Sequence, residues 1–354
     1  MAPTATLSDP TGPRIGRTDK REIHGAGERN ACKVTTVASR SITITYVPAD
    51  CGSMLPGKSK APQAFKDVDI AGRLKAAGVP SVAEREALDA PANYAPVPPS
   101  PGGVRNEDLN VAVCERVREA LARNLGDGRG EPDFQLILGG ECCMSPGIVT
   151  AFWEHAAAAS PSRRVGFMYI DADADLYAPH GADSIGTFAG MNMTHLLRAP
   201  GALARMEQFS RPSGEPVCDA ANTVFFGTNL PLVGQSPAQL AYLFDNGFRV
   251  VSATSVAVDP EERARQALRW LEDRVDVILV HLDVDAIDPR LFPLANVPNF
   301  TGVTFEQAMC ALRAFLASEK VAALTVAEVN PDHDPGLTMT SRLTGELVAM
   351  LGAC

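Results

Sequence analysis

Asp171, Asp173 and Asp175 alternate along "YIDADADLY" (169–177), directly after an apolar run. The stretch "VHLDVDAIDP" (280–289) repeats the pattern with His281, Asp283 and Asp285. Alternate residues of an extended chain face the same way, so each triplet projects as a group. Two ionised carboxylates about 4 Å apart repel by roughly 4 kcal/mol at an effective dielectric near 20. The five aspartates together therefore call for a cation or for retained protons. An oxygen-rich set of this kind suits Mn, Mg or Ca. One Asp-x-Asp alone reads as a solvated strand end or a helix cap. Two of them, each closing an apolar run, read as a metal centre.

The elements that must position these groups follow from the apolar pattern. Short runs rich in β-branched residues recur as "ITITYV" (42–47), "FQLIL" (134–138), "RVGFMYI" (164–170), "NTVFF" (222–226), "RVVSA" (249–253), "VDVILVHL" (275–282) and "AALTVAEV" (322–329). Continuous runs suit strands buried on both faces. Stretches of helical period lie between them, at 107–125, 260–274, 304–319 and 341–353. The alternation predicts an α/β fold, a three-layer α/β/α sandwich around a mostly parallel sheet. Ligands of such sheets bind beyond the carboxyl ends of the strands. Two further strand ends carry unusual polar residues there, "LGGECCMS" (138–145) and "VAEVNPDHDP" (326–335).

Composition narrows the function. The 354 residues are 45% apolar, enough for a large core, and carry a formal net charge of −10. No compact Lys/Arg patch occurs, which argues against a nucleic-acid-wrapping surface. Neither a signal-peptide core nor a run of 18 apolar residues is present, so a soluble cytoplasmic protein without a membrane partner is expected. The eight cysteines are scattered without a Cys-x-x-Cys pair and read as reduced thiols. Residues 1–40 are polar and read as a flexible extension, ending in an added edge strand; residues 41–354 read as a single domain. The stretch 90–106 reads as a surface loop within that domain.

Taken in order, "GGECC" (139–143), "DADAD" (171–175), "HLDVDAIDP" (281–289) and "EVNP" (328–331) resemble the GGDHS, DAHxD, SxDxDxxDP and ExNP segments of the ureohydrolase family of arginase, agmatinase and formiminoglutamase. Gly57 to Pro62 is similar to that family's opening loop. The resemblance spans residues 42–353 and implies an arginase-like fold. It implies a pair of Mn ions, with Mg as an alternative, and a metal-bound hydroxide that attacks the carbon of a linear amidine or guanidino substrate. The bridging positions fall on Asp171 and Asp283. The first ion would add Asp175 and the position of Cys142; the second would add Asp285 and the position of Asp173. Both family histidines are therefore replaced, and one or two ions are expected, with the second site better preserved because a carboxylate is a hard ligand and a thiol is soft.

Glu328 falls where arginase-like members face the substrate guanidinium, and a carboxylate is a natural partner for that cation. Ala189 stands where a proton-transferring histidine is usual, leaving His195 and His180 as substitutes. His281 replaces a common serine and faces the Asp283 side as an outer partner or deputy ligand. Asp288 and Asn330 read as turn-forming. The family also implies a homotrimer or homohexamer. Three readings follow: a metal-dependent hydrolase; a member that has lost binuclear catalysis and survives as a binding or regulatory protein; and a hydrolase using the Cys142 or Cys143 thiolate, against which the acidic neighbours weigh.

Overall fold

Each of the seven apolar runs forms a strand, and an eighth strand joins them at one edge. The structure, a computed structural model, describes residues 40–126, 132–181, 184–230 and 236–352, all within one compact unit, Val34–Cys354. The polar extension and the edge strand expected at its end lie outside the described residues, apart from Arg40.

The strands are β1 (Ile42–Val47), β2 (Val82–Glu86), β3 (Phe134–Gly139), β4 (Val165–Ile170), β5 (Thr223–Thr228), β6 (Arg249–Ser252), β7 (Val277–Asp283) and β8 (Val321–Ala327). They form one sheet in the order β2-β1-β3-β8-β7-β4-β5-β6, and every pairing is parallel. The strands β1, β3, β4, β5 and β7 are buried along their whole length, as parallel strands covered on both faces must be. The strand missing from the sequence reading is β2. Three of its five residues, Glu84, Arg85 and Glu86, are charged and exposed, because an edge strand needs no second apolar face.

The helices are α1 (Ala61–Asp67), α2 (Ile70–Ala76), α3 (Glu107–Leu125), α4 (Ser145–Ala158), α5 (Asn192–Leu197), α6 (Pro237–Asp245), α7 (Ala253–Val258), α8 (Pro260–Glu272), α9 (Phe305–Leu316) and α10 (Thr338–Leu351). On one sheet face, Phe65 and Leu74 of the first two helices and Leu271, Phe315 and Leu347 of the last three pack with Ile44, Leu136, Val280 and Leu324. On the other, Val117, Phe152, Leu196 and Leu243 of α3 to α6 pack with Ile137, Phe167, Tyr169 and Leu279. Each large apolar side chain buried in this way contributes roughly 1.5–3 kcal/mol. The architecture is the three-layer sandwich that the alternation predicts. No helix among the described residues is long and apolar enough to cross a membrane.

Local chemistry sets the helix starts. At α9 the Thr304 hydroxyl accepts from the Gln307 N–H, while the Gln307 side chain accepts from the Thr304 N–H, a reciprocal capping box. Thr304→Ala removes one half of it and is expected to cost about 1 kcal/mol, read from the urea unfolding midpoint.

The sheet order has one consequence for function. It sets β3, β8, β7 and β4 side by side, so the four unusual strand ends open at the same edge of the sheet.

Candidate metal centre

Beyond β4 and β7 the backbone turns in ways that hold the carboxylates in place. The Asp173 N–H donates to Asp171 Oδ1 at 2.7 Å, and the Asp285 N–H donates to Asp283 Oδ1 at 2.7 Å. The Ala172 N–H reaches Asp285 Oδ1 at 3.4 Å. Oxygens of Asp171, Asp283 and Asp285 thereby come within 4.8 Å of one another. All three lie in the interior, and Asp171 Oδ2 is buried with no hydrogen-bond partner among the described residues. Burial pushes the Asp171 and Asp283 carboxyls well above the ordinary carboxylate range, with neighbouring aspartates adding to the effect. Asp285 is pushed up to about 7, again by burial first, with Glu328 and Asp173 adding. These are acids held where ionisation needs a nearby cation.

Asp173 and Asp175 stand outside this closest set among the described residues. Asp173, half-buried, accepts from the Ala174 N–H at 2.8 Å. Asp175 accepts from the Tyr169 hydroxyl at 2.5 Å and has a left-handed backbone, φ 49°. Burial raises both carboxyls, and Asp175 is also raised by Asp173.

At the end of β3, Gly140 is required by close approach: a Cβ there would lie 1.4 Å from the Ala49 carbonyl oxygen. The chain then enters a 3₁₀ turn, Cys142–Met144. The Cys142 thiol donates to Asp283 Oδ2 at 2.9 Å, and its sulfur lies 3.0 Å from His281 Nε2. Two further groups of donor atoms lie mutually within 4.8 Å: Cys142, Asp171 and His281, and Cys142, Asp283 and Glu328. Burial, then Asp283 and Glu328, hold the Cys142 thiol well above its usual range. Burial, then Glu141, does the same for Cys143. Both effects work against a thiolate nucleophile.

After β8, Glu328 has φ 64° and its N–H donates to the Gly140 carbonyl at 2.8 Å. A left-handed glutamate costs on the order of 1–3 kcal/mol unless its surroundings fix it. Here it aims the carboxylate into the cleft, where Oε1 accepts from the Cys142 N–H at 3.2 Å.

Glu328 Oε2 is engaged by a residue that the sequence reading missed. Lys58 is 1% exposed, and its ammonium lies 3.1 Å from Glu328 Oε2 and 3.0 Å from Glu141 Oε1. Burial works to lower the Lys58 pKa, but Glu141 and Glu328 outweigh it and hold it above the ordinary value. Glu141 is pushed up to about 7 by burial, against the pull of Lys58. It also accepts from the Gly52 N–H at 2.7 Å. The loop that carries Lys58 is clamped from the Asn330 turn: Asn330 Nδ2 donates to the Pro56 carbonyl at 3.3 Å. Gly57, φ 115°, leaves room for Asn330, whose Oδ1 would lie 2.3 Å from a Cβ. Lysine is ordinarily solvent-facing, so Lys58, although inside the Gly57 to Pro62 stretch, carries no sequence signal of burial or pairing. The signal available was an acidic excess at the strand ends that needed an internal cation.

The substitute histidines lie elsewhere. His195 packs against Phe188 at a ring separation of 4.7 Å, and its Nδ1 accepts from the Leu203 N–H at 3.4 Å. Burial lowers its pKa to about 3, so the ring stays neutral and is poorly suited to carry a proton. His180 is exposed, beside Gly103. His281 is fully buried, stacked on Tyr169 at 5.0 Å, with Nδ1 3.4 Å from the Ser145 hydroxyl.

The chain is similar in sequence and fold to known proteins. A family model described as the arginase family matches residues 40–353. An arginase from Staphylococcus aureus (strain MRSA252) is 23% identical over 302 residues, covering 83% of this chain and 92% of its own. The arginase structure from Bacillus caldovelox superposes with a TM-score of 0.75 at 20% identity, covering 88% of this chain and 98% of that one. The formimidoylglutamase structure from Bacillus subtilis gives 0.64 at 16% identity, covering 94% and 95%.

Proposed function

The chain belongs to the arginase family, and from that premise we propose that it hydrolyses a C–N bond in a linear amidine or guanidino compound with a divalent cation as cofactor. The observation that carries the proposal is the buried trio of Asp171, Asp283 and Asp285, with Asp171 Oδ2 lacking a hydrogen-bond partner among the described residues. That donor set fits a hard ion such as Mn²⁺ or Mg²⁺, which those three residues would hold, with Asp173 and Asp175 as flanking carboxylates. Bound there, the ion supplies a nucleophile near neutral pH by acidifying water.

The remaining steps belong to the chain. Glu328 offers the carboxylate for an amidinium or guanidinium, set in place by the Cys142 N–H. Lys58 shares that carboxylate, so a cationic substrate competes with an internal cation for it. Tyr169 orients Asp175 through its hydroxyl. Of the two histidines considered as proton carriers, His195 would act only after rearrangement, given its packing on Phe188.

The same Lys58 contact favours a second reading, a member impaired in turnover that binds cations or small ligands. Metal content and turnover separate the two. Protein loaded with Mn²⁺ is expected to retain metal after gel filtration and to release urea or ammonia from at least one of arginine, agmatine, formiminoglutamate or a guanidino acid. Metal and turnover should disappear together in Asp283→Asn. Retained metal with no product across the panel supports the second reading, and no retained metal removes the first. If the site is degraded rather than rebuilt, Cys142→His with Asp173→His should raise Mn²⁺ affinity by more than about tenfold.

A further inference from the structure

Sulfur, nitrogen and oxygen donors converge at one point of this cleft. Cys142 Sγ, His281 Nε2 or Nδ1, and an Asp171 oxygen lie mutually within 4.8 Å, and all three residues are buried. They come from three neighbouring parts of the fold: the turn after β3, the interior of β7 and the end of β4. His281 is fixed by its stack on Tyr169 and by Ser145, whose hydroxyl lies 3.4 Å from Nδ1. A proton on Nδ1 directed at Ser145 leaves the Nε2 lone pair facing Cys142, 3.0 Å away. The ring is fully buried, so this nitrogen meets protein donor atoms rather than solvent.

A buried, hydrogen-bonded thiol is the plainer account of Cys142, and its contact with Asp283 would satisfy it. That account leaves Asp171 Oδ2 buried and without a hydrogen-bond partner among the described residues. It also leaves an imidazole, a thiol and a carboxylate gathered around one point. The family's Mn²⁺ does not fit this set, because Mn²⁺ prefers oxygen, whereas thiolate with imidazole and one carboxylate suits zinc-like ions.

We infer that Cys142, His281 and Asp171 form a site for a thiophilic divalent cation of the zinc class, beside the oxygen-only set of Asp171, Asp283 and Asp285. The inference deepens the reading above and rests on the cleft holding divalent ions, but not on turnover. Binding involves no redox change. The Cys142 S–H bond gives its proton to solvent, and the sulfur lone pair forms the bond to the cation. The chain would then bind two unlike ions, with the thiolate position selecting against Mn²⁺.

Co²⁺ tests this directly, since it takes zinc sites and reports sulfur ligation by its spectrum. Chelator-treated full-length protein titrated with Co²⁺ should develop an intense near-ultraviolet sulfur-to-cobalt charge-transfer band that saturates with a single equivalent. Zn²⁺ should then bleach it. Cys142→Ser is expected to abolish the band and weaken Zn²⁺ by at least about tenfold. Cys143→Ser, whose thiol instead faces Glu141 at 3.6 Å, should keep both. The wild-type spectrum decides the matter even if a variant misfolds: Co²⁺ bound without the band overturns the inference. A band that persists in folded Cys142→Ser does the same. In either case retained Mn²⁺ would leave the hydrolase reading standing, whereas failure of every divalent ion to bind removes both.

Discussion

Lys58→Met is expected to destabilise the protein by about 3–5 kcal/mol, the range for breaking a buried ion pair from one side. The cause is what the substitution leaves behind. Methionine fills much of the lysine's volume, but Glu141 and Glu328 would face each other with no cation between them. Glu141, already pushed up to about 7 by burial, would lose the opposing pull of Lys58 and hold its proton more strongly, further above the unfolded value near 4.3. A raised folded pKa gives stability that is present below the unfolded pKa and lost as pH rises through the folded one. The deficit of Lys58→Met should therefore be small near pH 5 and large near pH 8. Urea unfolding across that range measures it. Adding Glu141→Gln removes one of the stranded charges and should recover part of the loss. A deficit that is flat with pH, or unrelieved by Glu141→Gln, would show that Lys58 acts through packing alone. The double variant also leaves Glu328 without its internal cation, and so should bind an amidinium ligand more tightly than wild type.

How much of this was visible beforehand depends on the range over which each interaction is encoded. Asp171, Asp283 and Glu328 were legible because strand ends place them, and both the apolar runs and the alternation are local. The helix at 107–125 was legible for the same reason, since one face meets the sheet and the other meets water. Helix α4 was not. "SPGIVTAFWEHAAA" is buried on most sides, so its apolar residues show no clear helical period. The Lys58 pairing was also hidden, because a lysine in a short turn reads as a surface residue until the fold sets two glutamates against it. His281 falls between these cases. Alternation pointed it toward the Asp283 side, yet its contact with Cys142 needed β7 and the β3 turn to be set against each other. The site's composition could thus be read from sequence, whereas its internal charge balance is a tertiary property.

That balance leads to the second large effect, on the protein stripped of metal by a chelator. The Asp171 and Asp283 carboxyls are raised well above their usual range, and Asp285 to about 7, against roughly 3.9 in an unfolded chain. The folded state therefore binds more protons than the unfolded state between about pH 4 and pH 7 and somewhat beyond, and stability falls as pH rises through that window. Asp285 alone contributes a loss on the order of 4 kcal/mol. Glu141, also raised to about 7, adds in the same direction. A divalent ion replaces those protons, so it should stabilise strongly at pH 8 and little at pH 5, where protons compete for the same oxygens. At a free concentration near 100 times its Kd the gain is about 2.7 kcal/mol. Thermal unfolding at pH 5, 6, 7 and 8, with chelator or with Mn²⁺, should give two curves that diverge upward in pH. Asp283→Asn should flatten the chelator curve and remove most of the response to Mn²⁺, since it deletes a buried acid and a metal-binding oxygen together. If the stripped wild type instead became more stable toward pH 8, Lys58 and the surrounding amides would be carrying the acidic cluster without help. The case for a resident cation at Asp171, Asp283 and Asp285 would then fall.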